Sequence, residues 1–130
     1  MREVRAIRRF TVRPVLPPAL APLGDLAGNL RWSWHPATQD VFAAVDPDLW
    51  ESTGCDPVRL LGAVERTRLE ELAGDEAFLA RLAEVHANLE RYLTGERWYQ
   101  RRFGADADAP AAIGYFSPEF GITAVLPQYS

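Results

Sequence analysis

The chain has 130 residues, 48% hydrophobic and 25% charged, with 9 Gly and 10 Pro, a composition that excludes a wholly disordered or collagen-like polymer. That length holds one domain of modest size, or one domain and a piece of the next, but not two catalytic domains. A formal net charge of -4 excludes a general nucleic-acid binder, and because all 14 basic residues are arginine the chain has neither a Schiff-base lysine nor a P-loop lysine.

Residues 4–13 roughly alternate, with Val4, Ala6, Phe10 and Val12 on one side and Arg5, Arg9, Thr11 and Arg13 on the other. That period predicts a half-buried N-terminal β-strand, ended by Pro14, Pro17 and Pro18. Arg8-Arg9-Phe10 followed by Ala19-Leu20-Ala21 has the outline of a twin-arginine export signal. Arg13, Pro14, Pro17 and Pro18 interrupt the apolar helix such a signal needs, so the expected compartment is the cytoplasm. There is no run of roughly 18 apolar residues, and a membrane span is not expected.

From Ala19 the spacing turns helical, with Leu20, Leu23, Ala27, Leu30 and Trp34 on one face. His35-Pro36 breaks this run and opens a short helix to Val45. Asp46-Pro47 and Asp56-Pro57 repeat the device, each pairing a cap with a proline in the first turn. Thr67 and Glu70 have capping-box spacing, for a helix that stops near Gly74. Asp75 caps the longest predicted helix, which runs to Thr94-Gly95. Its stripe is Phe78, Leu82, Val85, Leu89 and Tyr92, flanked by Leu79, His86 and Leu93. Glu96 to Phe103 adds a last helical turn or two, with Arg101-Arg102 suited to the dipole of a helix end. Gly104 to Ala112 reads as a linker, and Ile113 to Ser117 as a short buried strand that Pro118 stops. No helix follows to cover that strand, so the sequence reads as cut within a second domain.

Several short motifs occur in order: Asn29-Leu-Arg-Trp-Ser-Trp-His-Pro36, Asp46-Pro-Asp-Leu-Trp50, Asp56-Pro-Val-Arg-Leu-Leu61, Tyr115-Phe-Ser-Pro-Glu-Phe-Gly-Ile122 and Leu126-Pro-Gln-Tyr-Ser130. This succession resembles the N-terminal region of bacterial α-glucan phosphorylases and covers nearly the whole chain. The usual pattern has a Trp or similar residue in place of Arg31, and often Asn in place of His35. The resemblance implies an enzyme that splits α-1,4-glucan with phosphate to give glucose 1-phosphate. It also implies pyridoxal phosphate on a lysine and a two-lobed glycosyltransferase fold in the full-length protein. This chain has no lysine, so no cofactor is expected in it and no activity from it alone.

The expected fold class is therefore mainly α. A helical accessory domain (1–104) with an N-terminal β-strand is joined by a linker (105–112) to the first strand of an incomplete α/β catalytic domain (113–130). The expected partners are the remainder of a phosphorylase chain, α-1,4-glucan, and a second copy paired through the exposed C-terminal strand. The candidate glucan or inter-domain contacts are Trp32, Trp34, Trp50, Trp98, Glu119 and Tyr129. Core or inter-domain packing is the favoured reading for the tryptophans, because indoles bury a large area. Trp32 and Trp34 lie about 200° apart on a helix and cannot share its face. Glu119 near a strand end suits either a sugar hydroxyl or a salt-bridged turn. His35 reads as a turn residue and His86 as a partly buried structural one. Two histidines and the lone Cys55 make no metal site, and no catalytic, cofactor or metal residue is assigned. A freestanding glucan-binding module and a structural or oligomerisation domain are the competing functions.

Overall fold

The computed structural model describes residues 15–104, 110, 114 and 123–125. Proline heads the first four α-helices: α1 (Pro22–Gly28), α2 (Pro36–Val45), α3 (Pro47–Ser52) and α4 (Pro57–Ala63). The missing proline N–H is no loss at a helix start, and the fixed φ suits the first turn. The expected caps form. Asp46 Oδ1 accepts from the Leu49 amide at 2.9 Å, and Asp56 Oδ1 from the Val58 and Arg59 amides at 2.9 and 3.2 Å. α5 (Arg66–Ala73), α6 (Glu76–Thr94) and α7 (Trp98–Phe103) complete the series, and Asp75 Oδ1 caps α6 through the Ala77 and Phe78 amides, both at 3.0 Å.

α6 is the central beam, with α1, α2 and α5 packed along it. Its buried stripe is Phe78, Leu82, Val85 and Leu89, at helical spacing. Leu20, Leu23, Leu26, Val41, Phe42, Val45, Leu60 and Leu72 close the core from the other helices. Each such side chain withdrawn from water contributes roughly 1.5–3 kcal/mol. Arg68 on α5 donates from Nε to the Val45 carbonyl at 2.8 Å and from Nη2 to the Ala44 carbonyl at 3.3 Å. It thereby satisfies carbonyls that the end of α2 leaves open.

The expected fold class needs correction. The described residues are 75% helical and contain no strand, neither an N-terminal one nor one of an α/β sheet. Among the described residues, the helices close their apolar stripes on one another rather than on a sheet. The segments on which strands were expected, 4–13 and 113–117, lie outside the described residues apart from Gly114.

Two local expectations also change. The single helix expected from Ala19 to Trp34 is three pieces: a 3-10 turn (Pro18–Leu20), α1, and a second 3-10 turn (Leu30–Trp34). Asn29, extended at φ -111° and ψ 115°, shifts the phase between the last two, so Leu26 and Trp32 are buried while Leu30 and Trp34 face solvent. Thr67 is not a cap either. α5 begins at Arg66, one residue earlier, and Glu65 precedes it with no side-chain cap.

Candidate functional site

The segment Asn29–Pro36 folds through short-range polar bonds. Asn29 Oδ1 accepts from the Arg31 amide at 3.0 Å and so opens the 3-10 turn. Gln39 Nε2, one turn into α2, donates to the carbonyls of Trp32 and Ser33 at 3.1 and 2.9 Å. This tight winding sends Trp32 inward and Trp34 outward. Trp32 meets Trp50 edge-on at 6.4 Å, and Trp50 stacks on Phe42 at 5.8 Å with the rings 16° apart.

His35 ends the turn and precedes α2, with Nδ1 2.8 Å from Thr38 Oγ1. Partial burial holds its pKa below the ordinary 6.5, and the positive charge of Arg31 lowers it further. His86 on α6 has Nε2 3.0 Å from Asp25 Oδ2 on α1, which clips those helices together at the edge of a groove of ≈ 480 Å³.

Arg31 leaves the turn toward the C-terminal end of α6. Its Nη2 donates to Asn88 Oδ1 at 2.7 Å, and its guanidinium lies 4.6 Å from the centre of the Tyr92 ring. Arg97, just past α6, lies 4.5 Å from the same ring centre and donates to the Tyr92 carbonyl. Gly95 makes the turn between them, and a Cβ there would sit 2.6 Å from the Arg91 carbonyl oxygen. Arg31, Asn88, Arg91, Tyr92, Glu96 and Arg97 line an open cleft of ≈ 390 Å³.

The candidate residues thus separate. Trp32 and Trp50, 5% and 7% exposed, are core; Trp34 and Trp98, 54% and 66% exposed, are surface. Trp98 packs edge-on against Phe103 at 5.8 Å. Glu119 and Tyr129 lie outside the described residues. Sequence spacing did not single out the cluster of Arg31, Asn88, Tyr92 and Arg97. Its one signal was Arg31 itself, an arginine inside a tryptophan-rich motif. No group of three or more His, Cys, Asp or Glu side chains able to hold a metal occurs among the described residues. The residues present do not fit lysine-bound pyridoxal phosphate, since all 14 basic side chains are arginine. The arrangement suits binding and docking through arginines and aromatic faces.

A family profile described as "Protein of unknown function (DUF3417)" matches residues 16–126. The chain is 55% identical over 130 residues to a glycogen phosphorylase of Mycobacterium tuberculosis, covering 98% of this chain and 15% of that protein. It is 30% identical over 109 residues to a glycogen phosphorylase of Aquifex aeolicus, covering 83% of this chain and 14% of the relative. A maltodextrin phosphorylase of Thermococcus litoralis is also 30% identical, over 120 residues, with 92% of this chain and 14% of the relative covered. The chain therefore spans about 15% of the length of these curated relatives, matching their N-terminal part. No solved structure matches.

Proposed function

Because the chain belongs to the DUF3417 family and aligns with the N-terminal part of glycogen and maltodextrin phosphorylases, we propose that it acts as the accessory module of an α-glucan phosphorylase. The observation that carries this reading is 55% identity sustained over 98% of the chain. In this reading the intact enzyme splits α-1,4-glucan with phosphate, and the pyridoxal phosphate it uses is held by a lysine outside this chain. Residues 1–104 form the accessory unit, 105–112 a linker, and 113–130 lead into the catalytic part. The proposed compartment is the cytoplasm. No helix of the described residues is long and apolar enough to cross a membrane.

The module's contribution is contact with the remaining polypeptide, for which the exposed Trp34 and Trp98 are the proposed contacts. Glu119 and Tyr129 join them as proposed contacts on sequence grounds. The test adds the purified chain to a phosphorylase polypeptide lacking its own N-terminal part. Co-elution and increased release of glucose 1-phosphate are expected, with none from the chain alone. Separate elution and unchanged activity would overturn the reading.

A second reading, glucan tethering, draws on the same two exposed indoles, since aromatic faces stack on sugar rings. Calorimetric titration with maltoheptaose separates the two. Saturable heat that is lost in Trp34→Ala replaces docking with tethering at that residue, and its absence leaves docking.

A further inference from the structure

Of the nine arginines among the described residues, four pair with a carboxylate and five do not. Of those five, Arg101 donates to the Glu96 carbonyl at 3.1 Å and Arg102 lies over the Phe103 ring. Arg59, Arg66, Arg68 and Arg81 each pair with a carboxylate, respectively Asp56 at 3.4 Å, Glu70 at 2.7 Å, Glu71 at 3.1 Å and Asp40 at 3.2 Å. Arg31, Arg91 and Arg97, which line the cleft at the end of α6, form no ion pair among the described residues. They gather three positive charges around one carboxylate, Glu96, in a chain whose net charge is -4. The C-terminal dipole of α6 accounts for Arg91 and Arg97, which sit on or just past its last turn. It does not account for Arg31, which reaches the cleft from the 3-10 turn, 57 positions before its bonded partner Asn88.

Two of the three guanidinium groups are already held. Arg31 is fixed by Asn88 Oδ1 and the Tyr92 ring, and Arg97 by the Tyr92 carbonyl and the same ring. A guanidinium carries five N–H donors, so each keeps donors for a ligand and has less side-chain freedom to lose on binding it. A carboxylate would occupy one such fork. A tetrahedral oxyanion presents oxygens to several at once. The cleft, ≈ 390 Å³, falls within the size of small-molecule sites and has room for a sugar beside the anion.

We propose that the cleft formed by Arg31, Asn88, Arg91, Tyr92 and Arg97 binds a phosphate group, either free or as the monoester of a small sugar. This site is independent of whether the chain serves a phosphorylase.

The experiment titrates the chain with sodium phosphate at constant ionic strength, following backbone and guanidinium N–H resonances by NMR. Saturable shifts of Arg31, Arg91 and Arg97 are expected, with a midpoint on the order of 1 mM for so open and screened a site. Arg31→Gln and Arg91→Gln should each weaken binding about tenfold. Glu96→Gln should tighten it by removing the repelling carboxylate, a gain that a purely structural role would not produce. Arg91 is exposed and makes no side-chain bond among the described residues, so Arg91→Gln remains informative even where Arg31→Gln unfolds. Glucose 1-phosphate binding more tightly than inorganic phosphate identifies the sugar ester as the ligand, and equal affinity identifies the free ion. Shifts still linear at about 20 mM, or affinity unchanged in Arg91→Gln, would overturn the proposal. Saturation by an acidic peptide but not by phosphate would also overturn it and make the cleft a protein-docking surface.

Discussion

Trp32 and Trp34 are two positions apart in one motif and occupy opposite environments, because the backbone between them winds as a 3-10 turn bonded to Gln39. The buried member belongs to an aromatic stack with Trp50 and Phe42. Phe42, fully buried in that stack, should lose about 3–5 kcal/mol of folding stability on Phe42→Ala, whereas Trp34→Ala should change it by no more than about 0.5 kcal/mol. Urea denaturation of the two variants checks both values. At His35 the folded-state pKa is depressed, so the unfolded chain takes up the proton more readily. The stability that His35 contributes is therefore present above pH 6.5 and lost as the pH falls through its lower folded-state value. A His35→Asn chain should show a flatter stability profile below that pH in denaturant titrations, and an unchanged slope would remove His35 as the cause. That the two tryptophans could not share a helical face followed from their spacing alone. Which one is buried did not, since the choice depends on the extended backbone at Asn29.

Among whole elements, the aspartate caps were the most legible feature because they act over two or three residues. Asp46, Asp56 and Asp75 all accept from the amides their positions imply. The Thr67 to Glu70 spacing matched an equally local pattern, yet α5 begins at Arg66. Arg68, on its first turn, is drawn to the Ala44 and Val45 carbonyls at the end of α2. That is a bond across more than twenty residues, and no local pattern encodes it. Asp75→Ala should accordingly cost about 1 kcal/mol, while Thr67→Ala should cost less than about 0.5 kcal/mol. Thermal melts of the pair test the assignment, and equal losses would restore Thr67 as a cap. The stripe of α6 was legible as far as Leu89. Beyond it, Tyr92 and Leu93 stand exposed, with Tyr92 under Arg31 and Arg97 instead of in the core.

For the molecule as a whole, the buried cluster runs from Leu20 to Leu89, and Val125 is a partly buried addition to it from farther along the chain. A chain of residues 15–104 should therefore unfold cooperatively, with a stability within about 1 kcal/mol of the full chain, the order expected for one partly buried side chain. A broad, non-cooperative transition would show that the core depends on residues outside that range. Individual helices were legible because periodicity marks amphipathic helices. The expected fold class, with its two strands, was not borne out among the described residues. The arginine cleft was not legible, since it joins positions 31, 88, 92 and 97, whose proximity only the packing of the turn against α6 creates. The division of the tryptophans also makes the protein its own optical probe. Trp34 and Trp98 lie open to a water-borne quencher, while Trp32 and Trp50 are shielded from it. Fluorescence that iodide removes reports on the outer surface, and the emission that survives reports on the aromatic stack. Docking and core integrity can thus be followed separately in one cuvette, without a label.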